Sequence, residues 1–227
     1  MQAGAFEAIT LTIKLALVTV GLLMVLGTPL AWWIAFTRSR LKPLVEAVVA
    51  LPLVLPPTVL GFYLLILMGP AAGPGRWFAE ATGSSLAFSF SGLVIASMLY
   101  SLPFVVQPVA QGLQAVGRGP LEVAETLGAG PLDRFFTVAL PLARRGFVTA
   151  AVLGFAHTLG EFGVILMVGG NIPGRTQVLS IKIYESVETL DYATAHVLSA
   201  GLLVFSFAVL TCVYWFNRGS GVGLFKK

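Results

Sequence analysis

The chain has 227 residues, of which 57% are hydrophobic and only 11% charged, and its mean hydropathy is +0.90. Soluble domains carry about twice that share of charged residues, so the composition excludes a soluble domain and identifies an integral membrane protein. The net charge of +4 then reads as basic residues marking one membrane face rather than as a nucleic-acid footprint. The single cysteine, Cys212, excludes an internal disulfide framework and is expected as inert packing in an apolar run.

Five apolar runs, at about 8–36, 44–68, 86–110, 146–168 and 194–216, each reach the ~20 residues needed to cross ~30 Å of hydrocarbon. The expected fold is an all-α polytopic membrane protein, one transmembrane domain over 1–227. If 37–43 lies inside, so do 111–145 and the tail from 217. That side then carries Arg38, Arg40, Lys42, Arg118, Arg134, Arg144, Arg145, Arg218, Lys226 and Lys227, against Arg76, Arg175 and Lys182 on the other. The asymmetry predicts an N-terminus outside and a C-terminus in the cytoplasm. No basic residue precedes Lys14, so the first span lacks the charged start of a signal peptide and is expected to stay in the mature chain. Lys14, near the outer end of that span, reads as snorkelling to the interface.

In the second span, ALPLVLPPTVLG contains Pro52, Pro56 and Pro57, and adjacent prolines remove successive backbone donors. Counted from Leu44 at ~1.5 Å per residue, Pro56 lies ~18 Å in, near the membrane middle. Carbonyls freed there must face protein or a water-lined cavity. Pro56, Pro57 and Thr58 are therefore placed beside a path through the membrane, the alternative being a kink that fits neighbouring helices. The Gly/Pro-rich loop 69–85 reads as a re-entry turn with Trp77 and Phe78 as interface anchors. Pro103, Gln107 and Pro108 are expected to bend the third span.

Between the third and fourth spans, Pro120 suits a helix start and Gly128 or Gly130 a helix stop, which predicts a short helix over 120–128. Leu121, Ala124 and Gly128 form its small apolar stripe, and Glu122 and Glu125 suit its dipole. A second short helix is expected over 132–140, ended by Pro141.

The fourth span carries HTLGEFG, with His157 and Glu161 expected one turn apart on one face. Such a pair suits metal ligation or proton relay, but His196 lies in another span and spacing offers no third ligand, so no metal is expected. The remaining roles are a gate, an interhelical hydrogen-bonded lock at a subunit interface, or the acid and base of a membrane-embedded enzyme. GGNIPGRT (Gly169–Thr176) imitates a phosphate-binding loop but follows a membrane span, so it reads as a tight turn. A short surface helix is expected within Gln177–Asp191, with Asp191 capping the fifth span. No catalytic nucleophile, nucleotide loop or metal cluster is evident.

Glu122–Pro141 resembles the cytoplasmic coupling loop of ABC importer permeases, Glu-Ala-Ala, three residues, Gly, nine residues, Ile-x-Leu-Pro. Glu122, Ala124, Gly128, Leu140 and Pro141 hold the family's positions, while Val123 and Val138 stand for Ala and Ile. The bland reading of these residues is an amphipathic loop. The resemblance implies a type I importer permease fold, with Glu122, Ala124, Leu127, Gly128, Leu140 and Pro141 coupling to an ATPase. The proline break and the ionisable residues at membrane depth, rather than the resemblance, place Pro56, Pro57, Thr58, His157 and Glu161 at a translocation path or gate. The implied partners are a second copy, two cytosolic ATP-binding-cassette subunits that hold the ATP and Mg, an extracytoplasmic oxyanion-binding protein and membrane lipid; the chain itself would hold no cofactor and hydrolyse nothing. Leu51–Leu65 and Leu159–Glu185 are similar to the molybdate permeases of the bacterial inner membrane. The GEFG element is shared with sulfate and thiosulfate permeases, and tungstate is inseparable from molybdate by sequence. A membrane-embedded enzyme using His157 and Glu161, or a structural scaffold, are the readings from other classes.

Overall fold

A computed structural model describes residues 2–71 and 73–217. Arg218, Lys226 and Lys227, counted above toward the inner face, lie outside the described residues. The elements are α1 (Gln2–Phe36), α2 (Lys42–Val54), α3 (Pro57–Met68), α4 (Gly73–Thr82), α5 (Phe90–Val116), α6 (Gly119–Thr126) and α7 (Pro131–Arg134). A π turn (Phe135–Ala139) then leads into α8 (Leu140–Gly160), α9 (Gly163–Gly169), α10 (Leu179–Glu188) and α11 (Tyr192–Asn217). Among the described residues four helical stretches are long and apolar enough to cross a membrane, and α2 and α3 reach that length only as a pair, bent by 109° at the Leu55–Pro56 break.

The centre of the fold is a three-helix layer. α1 and α5 run in the same direction and pack directly on each other, with Leu15 in one cluster with Leu93 and Leu23 in one with Val105, and α8 runs back against both, chiefly along α5. Small residues set the crossings. A Cβ on Gly146 would lie 3.0 Å from the Gly112 Cα, and one on Gly154 would lie 2.7 Å from Val105 Cγ2. Close backbone approach of this kind is how helices associate in lipid, where no hydrophobic force separates one apolar surface from another. α11 is the outlier, packed on α8 and α10 with little of its surface covered. Cys212, expected as buried packing, is exposed on it, because α11 lies at the edge of the single chain.

Three further expectations need correction. The fourth span is not one helix over 146–168: it breaks at Glu161 and Phe162, which have ψ 129° and φ −127°. Pro141 does not end a helix. Residues 131–160 form a continuous helical run in which the π turn widens the backbone, Leu140 N–H reaching back to Phe135 O, before Pro141 enters the first turn of α8. A proline ring clashes with the carbonyl four residues earlier in a regular helix, and the wider π turn relieves that clash. Within 69–85 a helix, α4, stands where a turn is expected; Trp77 is exposed there and Phe78 half-buried.

Candidate functional site

Two regions gather the residues singled out in the sequence. The first is a pair of helix breaks. A residue before proline is pushed out of the α region, so Leu55 (ψ 135°) and Pro56 (ψ 134°) are both extended and Pro57 opens α3. At the second break Gly160 and Gly163 flank Glu161, whose carbonyl accepts a 2.6 Å hydrogen bond from Ser180 Oγ on α10. The breaks lie against each other. A Cβ on Gly163 would sit 2.8 Å from Pro57 Cβ, and one on Gly61 would sit 2.7 Å from Met167 Cβ. α3 and α9 therefore run side by side in the same direction from the breaks. Their far ends are joined through one loop, Ala87 N–H to Met68 O (3.4 Å) and Phe88 N–H to Val168 O (2.9 Å). Pro56 and Thr58 are exposed on the outer side of this unit, and Pro57 is half-buried.

Behind the breaks is a polar layer between α5 and α8. His157 Nδ1 and Ser101 Oγ share a 2.8 Å hydrogen bond, and Ser101 Oγ lies 3.1 Å from Thr158 Oγ1, which donates to Gly154 O. The imidazole stacks on Phe104 at 4.0 Å and tilts against Tyr100. Glu161 is only 4% exposed, and among the described residues no donor comes within normal hydrogen-bond geometry of its carboxylate oxygens; the buried Ser97 Oγ, which faces them, likewise makes no hydrogen bond of normal geometry. His157 and Glu161 are not one pair on one face, because α8 ends between them at Gly160. Sequence reading missed Ser97 and Ser101, whose signal was a polar i, i+4 repeat inside the third apolar run.

The second region is the hairpin 117–141. α6 is closed by Gly128 at φ +90°, with Gly128 N–H on Glu125 O (2.9 Å) and Ala129 N–H on Ala124 O (3.0 Å). This αL closure satisfies carbonyls that the helix end leaves open. Arg134 Nη1 meets Glu125 Oε2 at 2.5 Å, bridging α7 to α6 across the turn. At the base, Arg118 Nη2 donates to Phe36 O, and Phe135 packs against Trp32 and Phe147. Leu121 points into the core, whereas Glu122, Gly128 and Pro141 are exposed, and Ala124 and Leu140 are half-buried. Leu127 and Leu132 are 82% and 74% exposed, an apolar tip on a rigid base.

A family model described as "Binding-protein-dependent transport system inner membrane component" matches residues 27–220. The chain belongs to this family. The permease is 59% identical over 211 residues to the "Molybdenum transport system permease protein ModB" of Azotobacter vinelandii, covering 93% of each chain. It is 35% identical over 184 residues to the protein of that name in Escherichia coli K12, covering 81% of this chain and 80% of that one. A "Sulfate transport system permease protein CysT" of Synechocystis is 33% identical over 189 residues, 83% of this chain and 66% of that one. Among solved structures, the "Crystal structure of an amino acid ABC transporter with histidines" superposes at a TM-score of 0.64 with 18% identity, covering 96% and 95%. The permease thus has the all-α type I importer fold.

Proposed function

We propose that this permease is the membrane subunit of an ATP-driven importer that carries molybdate across the cytoplasmic membrane. The observation that carries the reading is the 59% identity, over 93% of both chains, to a relative named for molybdenum transport. The relatives named for sulfate transport match at 33%, which leaves sulfate and thiosulfate as the second reading. Tungstate, nearly the same in size and charge as molybdate, is expected to share the path.

In this reading the hairpin 117–141 faces the cytoplasm and docks on a separate ATPase that binds ATP and Mg. The exposed tip around Leu127 and Gly128 enters that subunit, Glu122 flanks it, and Ala124, Leu140 and Pro141 set its angle. The rigid base supports the role, because Arg118, Glu125 and Arg134 tie the tip to α1 and α7 so that a push on it moves the span behind it. The N-terminus is outside, the C-terminus is cytoplasmic, and an extracytoplasmic binding protein delivers the oxyanion.

Pro56, Pro57 and Thr58 border the path. Irregular backbone at membrane depth does not face lipid, yet Pro56 and Thr58 are exposed in the single chain. A second copy covering that face, with the path between the two, accounts for both facts. Lys14 is the only Lys or Arg within the five apolar runs, so the dianion passes a weakly binding, wet lining and is released easily. Glu161 and His157 act at the gate through the packing of α5, α8 and the breaks. The membrane-enzyme reading loses its acid–base pair, since His157 bonds to Ser101 and the helix ends before Glu161.

Deleting the permease should lower molybdoenzyme activity when molybdate is scarce, with recovery at excess molybdate. A sulfur auxotrophy with molybdoenzymes unaffected would move the assignment to sulfate.

A further inference from the structure

The turn after α9 is far more rigid than a surface connection requires. Asn171–Arg175 are all exposed, while Thr176–Leu179 are all buried. Ile172 O accepts three backbone N–H groups, from Arg175 (3.1 Å), Thr176 (2.9 Å) and Gln177 (3.0 Å). Thr176 Oγ1 donates to Gly169 O at 2.7 Å and accepts from Ile172 N–H at 3.3 Å, fixing the turn to the end of α9. Side chains fix the other flank. Gln177 Nε2 donates to Asn171 Oδ1 (2.6 Å) and Glu185 Oε2 (3.1 Å), and Asn171 Nδ2 donates to Glu185 Oε1 (3.2 Å). Lys182 Nζ meets Glu185 Oε2 at 2.6 Å, and its hydrogen bond is the largest influence holding the Glu185 carboxyl below its ordinary pKa.

The network has two consequences. It holds Ile172, Pro173 and Arg175 in one presented geometry, which removes most of the ordering cost of binding. It also occupies Glu185, so Arg175 is left without an ion pair among the described residues. Glu7 approaches the same turn, its Oε2 lying 3.7 Å from where a Cβ on Gly174 would stand, but it makes no ion pair with Arg175. The unit is also wired inward. Leu179 N–H donates to Thr12 Oγ1 on α1 (2.8 Å), and Ser180 Oγ donates to the Glu161 carbonyl at the helix break (2.6 Å).

We propose that the turn Asn171–Arg175 is the docking element for the extracytoplasmic oxyanion-binding protein, taking a carboxylate-bearing face of that protein onto Arg175 beside the apolar Ile172 and Pro173. The Ser180–Glu161 hydrogen bond carries the docking event to the helix break. This rests on the importer reading and its orientation, and adds to it the surface that receives the partner.

The test uses the permease assembled with its ATPases in lipid nanodiscs, with ATP hydrolysis measured against increasing molybdate-loaded binding protein. Arg175→Glu should raise the half-saturating concentration about tenfold while leaving basal and maximal hydrolysis unchanged, since a charge at an interface edge acts on association. Gln177→Ala, which touches no partner, should shift it in the same direction by loosening the turn. Ser180→Ala should lower the maximum at an unchanged half-saturation. Unchanged half-saturation in both Arg175→Glu and Gln177→Ala overturns the docking role, and an unchanged maximum in Ser180→Ala overturns the inward link. A defect of Arg175→Glu confined to nanodiscs with anionic phospholipid would assign the arginine to lipid headgroups and also overturn the docking role. If the wild type showed no stimulation by the binding protein, the importer reading itself would fall.

Discussion

Two glycines three positions apart at the fourth-span break differ in what surrounds them. A Cβ added at Gly163 would press to 2.8 Å against Pro57, whose ring cannot turn away, whereas one added at Gly160 would meet nothing within 4 Å. Overfilling a packed contact costs about 1–3 kcal/mol. Gly163→Ala should therefore lower the apparent Tm of the purified permease by several degrees, and Gly160→Ala should leave it nearly unchanged. Equal effects of the two substitutions would mean that the breaks do not pack on each other. Residue chemistry also explains which break the sequence revealed. Pro56 and Pro57 force their break wherever they occur in a helix, so it was visible from two letters. The Glu161 break contains no proline, and its carbonyl is satisfied by Ser180, a residue 19 positions away that only the folded chain brings near.

At the scale of elements, the hairpin 117–141 shows how a local rule is overridden by its neighbours. Proline ending a helix is a sound expectation at Pro141, but the π turn over Phe135–Ala139 accommodates the ring, and the chain runs without interruption from the tip into α8. A continuous helical run transmits displacement where a loop would absorb it. Gly128 sits at φ +90°, a conformation that a side chain strains, and its position is exposed. Gly128→Trp should therefore both distort the αL closure and overfill the surface proposed to enter the ATPase, and Glu122→Lys should reverse a charge beside it. Membrane insertion should survive in both, while transport and binding-protein-stimulated ATP hydrolysis fall together. Normal transport by both variants would remove the hairpin from the coupling role. The short helix α6 was legible because its Pro and Gly punctuation is local; the Glu125–Arg134 bridge was not, because it depends on how the turn folds back.

For the whole molecule, the apolar runs point to helices long enough to cross a membrane, since membrane thickness sets a length that sequence alone can meet, and four helices of the fold reach it. How the spans pair was hidden, because small residues such as Gly112, Gly146 and Gly154 acquire meaning only once a partner helix is opposite them. The fold also sorts charge by end. Arg118 reaches Phe36 O, and Phe135 packs on Trp32, so the loop with Arg38 and Arg40 and the hairpin with Arg118 and Arg134 share one end. Gly174 lies by Glu7 near the start of α1, which places Arg175 at the opposite end, and Arg76 in α4 follows the α3 terminus that meets the Ala87–Phe88 loop. This grouping is independent of direction; the excess of basic residues on the hairpin end predicts that this end is cytoplasmic, since cytoplasmic loops carry more Lys and Arg. Single-cysteine labelling in intact cells tests it, after Cys212→Ser removes the exposed native thiol. With an impermeant maleimide added outside, Arg76→Cys should be modified at once and Arg134→Cys only after the membrane is permeabilised. The reverse pattern would invert the orientation, placing the hairpin outside where no ATPase can reach it, and with it would go both the coupling role of Gly128 and the docking role of Arg175.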